Sequence, residues 1–189
     1  MPQTRITGGD FRGRVVETPR GSLVRPTRGM VRESLFDILG DRVADAAVLD
    51  LYAGSGALGF EALSRGAAQV TFVERDERAL RAISATAARF GCADRCHPVR
   101  SDVVRFLRHH GDDVAATALC FMDAPYRDPE LEVVLQCLGS SPPALVVCEH
   151  HRRRALPGRA GLLRRAREVR HGLTTLTFYQ PAAPGDEQE

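Results

Sequence analysis

The sequence predicts an α/β fold of the Rossmann-like type, with a mostly parallel sheet of seven strands and helices on both faces. From about residue 47, short apolar runs alternate with segments of helical spacing, which is typical of βαβ units. Acidic residues stand where these helices would begin, and glycines stand where they would end. A glycine-rich turn directly after the first strand indicates a version of this fold that binds a nucleotide.

Each element follows from the same patterns. Strands are predicted at residues 47–51, 69–74, 96–101, 118–122 and 145–149, and the helices between them at 58–65, 77–90, 103–110 and 129–138. Two later extended runs, 166–170 and 173–179, predict a C-terminal antiparallel hairpin that completes the seven strands.

The two ends of the chain differ from this core pattern. Residues 5–18 place three glycines among β-formers and predict a small hairpin, and residues 31–39 predict a helix. We therefore expect an N-terminal extension over 1–40, a main domain over 41–180 and a disordered tail over 181–189.

Length and composition narrow the class of protein. A chain of 189 residues and 20.7 kDa is long enough for one well-buried core. It has no apolar stretch near the roughly 20 residues of a membrane helix, and its first residues lack the apolar core of a signal peptide. The five cysteines form no CxxC pair. We expect a cytoplasmic monomer with reduced thiols, no metal and no membrane contact.

Positive charge is concentrated in two segments. All 26 basic residues are arginines, and the net charge is only +2. Residues 1–32 carry seven arginines against two acids, and residues 152–170 carry eight against one. Clustered guanidinium groups favour a polyanionic partner, because they displace counterions from phosphates. Solvated surface is the alternative for either segment alone.

The glycine-rich turn predicts a cofactor site. Residues 50–59 read Asp-Leu-Tyr-Ala-Gly-Ser-Gly-Ala-Leu-Gly, and their glycines let the backbone approach a ligand closely. Glu74 ends the second strand, where a carboxylate accepts hydrogen bonds from ribose hydroxyls. At this point both NAD and S-adenosylmethionine fit.

Further features favour S-adenosylmethionine. Asp50 lies four residues before the first glycine, where an acid suits the methionine end of that cofactor, and Asp102 follows the third strand, where an adenine amine would lie. Asp102 equally suits a helix cap. We also expect no second domain that could hold a hydride acceptor. The predicted cofactor-binding residues are Asp50, Tyr52, Ala53, Gly54, Ser55, Gly56, Glu74, Arg75, Asp102 and Val103.

The predicted catalytic segment is Asp123-Ala124-Pro125-Tyr126, at the end of the fourth strand. An exocyclic base amine is a poor nucleophile because its lone pair is delocalised into the ring. Hydrogen-bond acceptors around its N–H groups favour the charge that develops there during methyl transfer. The carboxylate of Asp123 and the carbonyl of Ala124 are such acceptors, Pro125 stiffens the turn and Tyr126 can stack on the base.

Three groups of motifs carry a family resemblance. The first is Arg5-Ile6-Thr7-Gly8-Gly9 with Arg12-Gly13-Arg14, and the second is Arg25-Pro26-Thr27 with Val31-Arg32-Glu33 and Leu35-Phe36. The third is the glycine-rich turn, Asp50 to Gly59, with Glu61 to Ala67 after it. Over nearly its whole length the chain resembles the RsmD family, bacterial methyltransferases that modify a guanine N2 of small-subunit ribosomal RNA. The family usually has proline at the position of Ala124, and Gly29-Met30 replaces a more polar pair. Alanine keeps the carbonyl acceptor, so we expect activity with a looser turn.

The resemblance implies a class I methyltransferase that uses S-adenosylmethionine and acts on 16S rRNA, at a guanine-966-type position, in the small subunit or its assembly intermediate. The implied RNA-binding residues are Arg5, Arg12, Arg14, Arg25, Arg28 and Arg32. Two alternatives stay open at this point. One is an amine methyltransferase acting on adenine or cytosine of DNA or another RNA, and the other is a non-catalytic RNA-binding assembly factor.

Overall fold

In the computed structural model, which describes residues 4–17, 27–125 and 129–183, the chain forms an α/β fold with a mostly parallel sheet and a C-terminal antiparallel hairpin. The predicted fold class is confirmed. The chain divides into two units, Met1–Val103 (unit 1) and Val104–Glu189 (unit 2). In the described part of the chain, no helix combines the length and the apolar character needed to cross a membrane.

Unit 1 holds the N-terminal strand pair and three parallel strands. Its elements are β1 Thr4–Arg5, β2 Val15–Val16, α1 Thr27–Leu39, β3 Ala47–Leu51, α2 Ala57–Ser64, β4 Gln69–Glu74, α3 Glu77–Phe90 and β5 Cys96–Arg100. β1 and β2 pair in antiparallel fashion, and β4 lies between β3 and β5 with parallel pairing on both sides. The carboxyl ends of β3, β4 and β5 therefore lie at one edge of the sheet.

Local signals explain why α3 has the bounds that the sequence predicts. The Asp76 side chain accepts a hydrogen bond from the backbone N–H of Arg78, which caps the first turn, and Gly91 ends the helix at φ 72°. One face of α3, which includes Leu80, Ile83 and Phe90, is buried. This amphipathic spacing is the pattern from which the helix was predicted.

Unit 2 contains the remaining elements. They are α4 Val103–His109, which starts at the last residue of unit 1, α5 Gly111–Ala115, β6 Leu119–Met122, α6 Leu131–Ser140, β7 Val146–His151, β8 Arg159–Ala160, β9 Leu163–His171 and β10 Thr174–Pro181. β6 and β7 are parallel, β10 pairs antiparallel with β7, and β9 pairs antiparallel with β10. β6, β7 and β9 thus run in the same direction.

Four expectations about unit 2 need correction. Gly111 begins α5 instead of only ending the preceding helix. Gly139 lies inside α6, although it was expected to end that helix. The two-residue β8 adds a strand to the seven expected, apart from the N-terminal pair. Pro181 pairs with Leu163, so β10 reaches into the segment expected to be a tail, of which 184–189 lie outside the described residues.

Close packing explains the position of Gly139. A β carbon placed on it would lie 1.9 Å from the carbonyl oxygen of Ala160 in β8. The Gly139 carbonyl also accepts a hydrogen bond from the N–H of Leu162, at 2.9 Å. Only a residue without a side chain allows the helix to lie this close to the β8–β9 turn.

We predict that Gly139→Ala lowers the free energy of unfolding by about 1–3 kcal/mol, because the added methyl overlaps backbone atoms that have little room to move. Gly158→Ala is the matched control, since a β carbon there meets nothing within 4 Å. Urea unfolding monitored by circular dichroism measures both. Equal midpoints for the two variants would show that the packing at Gly139 is not tight.

Candidate active site

The glycine-rich turn of unit 1 follows an unusual backbone path. Tyr52, Gly54 and Gly56 have φ values of 57°, 55° and 76°, in the left-handed region. A β carbon on Gly54 would meet nothing nearer than the Tyr52 carbonyl oxygen, at 3.8 Å. The glycine at 54 is therefore needed for its backbone angle, and the space beside it is open to a ligand. Tyr52 adopts such an angle as a non-glycine residue, which is typical of functional turns.

The carboxylate of Glu74 fixes this turn to the end of β4. Its Oε2 atom accepts a hydrogen bond from the N–H of Gly54 at 2.9 Å. Its Oε1 atom accepts from the N–H groups of Arg75 and Asp76, at 2.8 and 2.9 Å. A carboxylate has about four acceptor positions, and the described residues use three of them. Glu74 is half-buried, so the remaining position on Oε2 can accept from a ligand hydroxyl.

Asp50 holds the other end of the turn. Its side chain is buried, and Oδ2 accepts a hydrogen bond from the N–H of Gly59 at 3.0 Å. The bond ties the end of β3 to the first turn of α2. Gly59 itself is explained by packing, because a β carbon there would lie 2.2 Å from the ring of Phe72. Through this hydrogen bond, Asp50 positions the glycine-rich turn.

The remaining predicted cofactor residues lie at the same edge of unit 1. Ala53 is buried and donates its N–H to the Val73 carbonyl at 3.1 Å, and Ser55 is half-buried. Ser101 donates its N–H to the Glu74 carbonyl at 3.2 Å, which places the end of β5 beside the end of β4. Asp102 is exposed there, directly before α4, and Val103 is buried.

In unit 2, the predicted catalytic segment follows a fully buried strand. Every residue of β6 is buried, Asp123 after it is half-buried, and Pro125 is exposed. Ala124 is only 3% exposed, so packing holds this turn. Burial raises the pKa of the Cys148 thiol on β7, and the negative charge of Asp123 raises it further. Tyr126 lies outside the described residues.

A residue that sequence reasoning missed organises the N-terminal segment. The Glu61 side chain on α2 is fully buried and accepts hydrogen bonds from Thr7 N–H (2.9 Å), Thr7 O–H (2.7 Å) and Gly8 N–H (2.9 Å). It also pairs with Arg32 at 3.0 Å and with Arg65 at 3.1 Å. Burial alone would raise its pKa, but the hydrogen bonds from Thr7 and the charge of Arg32 hold the pKa below its usual value.

The pair Gly8-Gly9 lies against the end of the same helix. The Ser64 carbonyl accepts from Asp10 N–H at 2.8 Å, and the Ser64 hydroxyl oxygen accepts from Phe11 N–H at 2.8 Å. A β carbon on Gly9 would lie 1.8 Å from the Ser64 carbonyl oxygen. The two glycines therefore allow the N-terminal segment to pack directly against the end of α2.

The predicted RNA-binding arginines differ in their accessibility. Arg5 and Arg12 are exposed, and Arg5 donates to the Gly13 carbonyl at 2.9 Å. The guanidinium of Arg14 lies 4.2 Å from the ring centre of Phe90 and donates a hydrogen bond to the backbone carbonyl of Phe90. Arg14 therefore holds the hairpin against α3.

Arg32 needs correction as an RNA contact. Its side chain is 7% exposed, paired with Glu61, and it donates to the Arg5 carbonyl. A buried, paired guanidinium does not reach a phosphate, so we assign Arg32 a structural role. Arg25 and the side chain of Arg28 lie outside the described residues.

Comparison with known proteins places the chain in a family. The family model described as "Conserved hypothetical protein 95" matches residues 4–180. "Ribosomal RNA small subunit methyltransferase D" of Escherichia coli is 35% identical over 97% of this chain and 93% of its own length. "Putative rRNA methyltransferase YlbH" of Bacillus subtilis is 31% identical over 93% and 98%. The solved structure of "Putative methyltransferase yhhF" from Escherichia coli covers 97% of this chain and 100% of its own, with 34% identity and a TM-score of 0.81.

We predict that Glu61→Gln lowers the free energy of unfolding at pH 7 by about 3–5 kcal/mol, because it leaves Arg32 buried without a countercharge. The pKa of Glu61 is lower in the folded state than its ordinary 4.5. The stabilisation is therefore present above pH 4.5 and is lost as the pH falls through the folded value. Urea unfolding at pH 7 and pH 3.5 should show the gap between wild type and variant narrowing at the lower pH.

Glu33→Gln, an exposed glutamate on α1, serves as the control and should leave stability within about 0.5 kcal/mol of wild type. A Glu61→Gln variant as stable as this control would contradict the role of the buried carboxylate.

Proposed function

We infer the function from two facts about this chain, which belongs to the RsmD family of methyltransferases and carries a candidate site in each unit. We propose that it transfers a methyl group from S-adenosylmethionine to the exocyclic N2 of a guanine in 16S rRNA, of the guanine-966 type, within the small ribosomal subunit or its assembly intermediate. The relatives that are named ribosomal RNA small subunit methyltransferases support the substrate class. The chemistry rests on one observation, the half-buried Asp123 at the carboxyl end of a buried strand.

The residues of unit 1 fit S-adenosylmethionine. When bound, the cofactor supplies a methyl group on a sulfonium, which needs no further activation by the protein. Glu74 accepts from a ribose hydroxyl with the acceptor position that the Gly54 bond leaves on Oε2. The open side of Gly54 admits the ligand close to the backbone. Asp102 is exposed at the same edge and is our candidate for the adenine amine.

Unit 2 carries the groups that receive the acceptor amine. The carboxylate of Asp123 and the carbonyl of Ala124 accept hydrogen bonds from the two N–H groups of guanine N2. As the nitrogen attacks, it loses conjugation with the ring and gains positive charge, which these acceptors stabilise. Asp123 acts by orientation and charge, and it need not remove a proton before methyl transfer. As the N–C bond forms, the C–S bond breaks and leaves a neutral thioether, and the methylated nitrogen then loses one N–H proton to water. The burial of Ala124 keeps its carbonyl in a defined place.

The alternative substrate class is an exocyclic amine of adenine or cytosine, because the acceptor segment recognises an amine more directly than a particular base. Small subunits from a strain without the enzyme, incubated with purified protein and tritiated S-adenosylmethionine, provide the test. We expect label in 16S rRNA, on a single guanine. Label on adenine or cytosine would establish the alternative, and absence of label together with RNA binding would indicate a non-catalytic assembly factor.

We predict that Asp123→Asn lowers kcat by about 100- to 1000-fold, because the amide lacks the negative charge that faces the developing cation. The dissociation constant for S-adenosylmethionine, measured by calorimetry, should change less than about twofold, since the variant leaves unit 1 unaltered. Ala124→Pro is the companion variant and should retain activity, because proline keeps the carbonyl acceptor. Full activity in Asp123→Asn would exclude the proposed role.

We predict that Glu74→Gln weakens S-adenosylmethionine binding by roughly 10- to 100-fold, because hydrogen bonds to a charged group contribute about 1.5–3 kcal/mol. Glu77→Gln is the control, since Glu77 is exposed at the start of α3 and pairs only with Arg81 and Arg100 among the described residues. Calorimetric titration of both variants distinguishes the roles. Equal affinities would place the ribose contact elsewhere.

A further inference from the structure

Strand directions bring three segments of unit 2 to one edge of its sheet. β6 and β7 are parallel, with Met122 opposite Cys148. Thr174 of β10 lies opposite both His151 at the end of β7 and His171 at the end of β9. The carboxyl ends of β6, β7 and β9 are therefore at the same edge. Asp123 follows β6, Arg152 and Arg153 follow β7, and Arg170 is the penultimate residue of β9.

The order of the strands sets how far across the sheet these arginines lie from the acceptor segment. The N–H of Arg152 donates to the Leu173 carbonyl at 2.8 Å, which fixes the turn after β7 beside the turn between β9 and β10. Thr175 lies opposite both His150 and Arg170, so one strand separates β7 from β9. With neighbouring strands about 4.8 Å apart, β7 lies about 5 Å and β9 about 14 Å from β6, the strand whose last residue, Met122, precedes Asp123.

The three guanidinium groups are available for a partner. Arg152, Arg153 and Arg170 are exposed, and no described residue forms an ion pair with any of them. Arg165 on the same hairpin differs, because it pairs with Glu168 at 3.1 Å. We name Arg152, Arg153 and Arg170 the basic rim.

Protection against aggregation does not explain the basic rim. Charged side chains on an edge strand prevent pairing with other chains, and Arg170 alone could serve that purpose on β9. Arg152 and Arg153 follow β7, which has β6 on one side and β10 on the other. A strand that is paired on both sides needs no such protection, so the guarding of a sheet edge does not account for these two charges.

We propose that the basic rim binds RNA phosphates a few nucleotides to one side of the base held at Asp123. This proposal rests on the function proposed above and extends it to a second RNA contact, remote in sequence from the N-terminal segment. A base must leave its stack to reach Asp123, and the backbone beside it must be held while it does so. Guanidinium groups suit this task because they bind phosphate oxygens in a bidentate manner.

The test compares two double variants of equal net charge. Arg152→Gln/Arg170→Gln removes one arginine from each segment of the basic rim, and Arg42→Gln/Arg108→Gln removes two exposed arginines elsewhere. The affinity for small subunits from a strain without the enzyme is measured over a range of salt concentrations. We expect the rim variant to reduce the slope of log affinity against log salt by about 1.4–1.8, because each of the two lost phosphate contacts contributes about 0.7–0.9 to that slope.

We expect the same rim variant to raise KM for the subunit while kcat and calorimetric S-adenosylmethionine binding stay within about twofold of wild type. The control variant should keep the wild-type slope. A rim variant whose slope equals that of the control would overturn the proposal and leave the proposed function intact. Failure of the wild-type protein to methylate the subunits would refute the proposed function separately.

Discussion

The buried carboxylate of Glu61 is the interaction on which the arrangement of unit 1 depends. It holds α1 through Arg32 and the N-terminal segment through Thr7, and it lies on α2. The first turn of the same helix is tied to β3 by the bond between Asp50 and Gly59. The glycine-rich turn lies between β3 and α2, so the helix that anchors the N-terminal segment also sets the path of the turn. Loss of either the carboxylate or its arginine partner would leave an uncompensated charge in the interior and lower the stability of the fold.

The two units divide the proposed chemistry. Unit 1 offers a rigid turn, held by Glu74, for a charged cofactor that brings its own reactivity. Unit 2 offers acceptors at Asp123 and Ala124, which orient an amine and stabilise charge, and it adds the basic rim at the same edge of its strands. The exposed Arg5 and Arg12 remain our proposed RNA contacts on unit 1. The proposed catalysis needs positioning and electrostatic stabilisation, and no strong base.

Features with local signals could be predicted from the sequence. The cap at Asp76 fixes the start of α3, and the strand–turn–helix pattern places Glu74 beside the glycine-rich turn. Features that depend on distant partners could not. Gly139 looks like a helix end until its contact with β8 is known. Arg32 and Glu61 are 29 residues apart in the chain and lie on different helices, so no local pattern announces their pairing. The one sequence feature that pointed to this pair was the presence of a glutamate within the otherwise apolar sequence of α2.

The proposed methylation of guanine N2 is tested by nucleoside mass spectrometry of 16S rRNA from small subunits treated with the purified protein and S-adenosylmethionine. The subunits come from a strain without the enzyme, so that the acceptor position is unmodified at the start. We expect one N2-methylguanosine per subunit with wild-type protein and a large loss with Asp123→Asn. Methylation of adenine or cytosine, or no new methylated nucleoside, would contradict the proposed function.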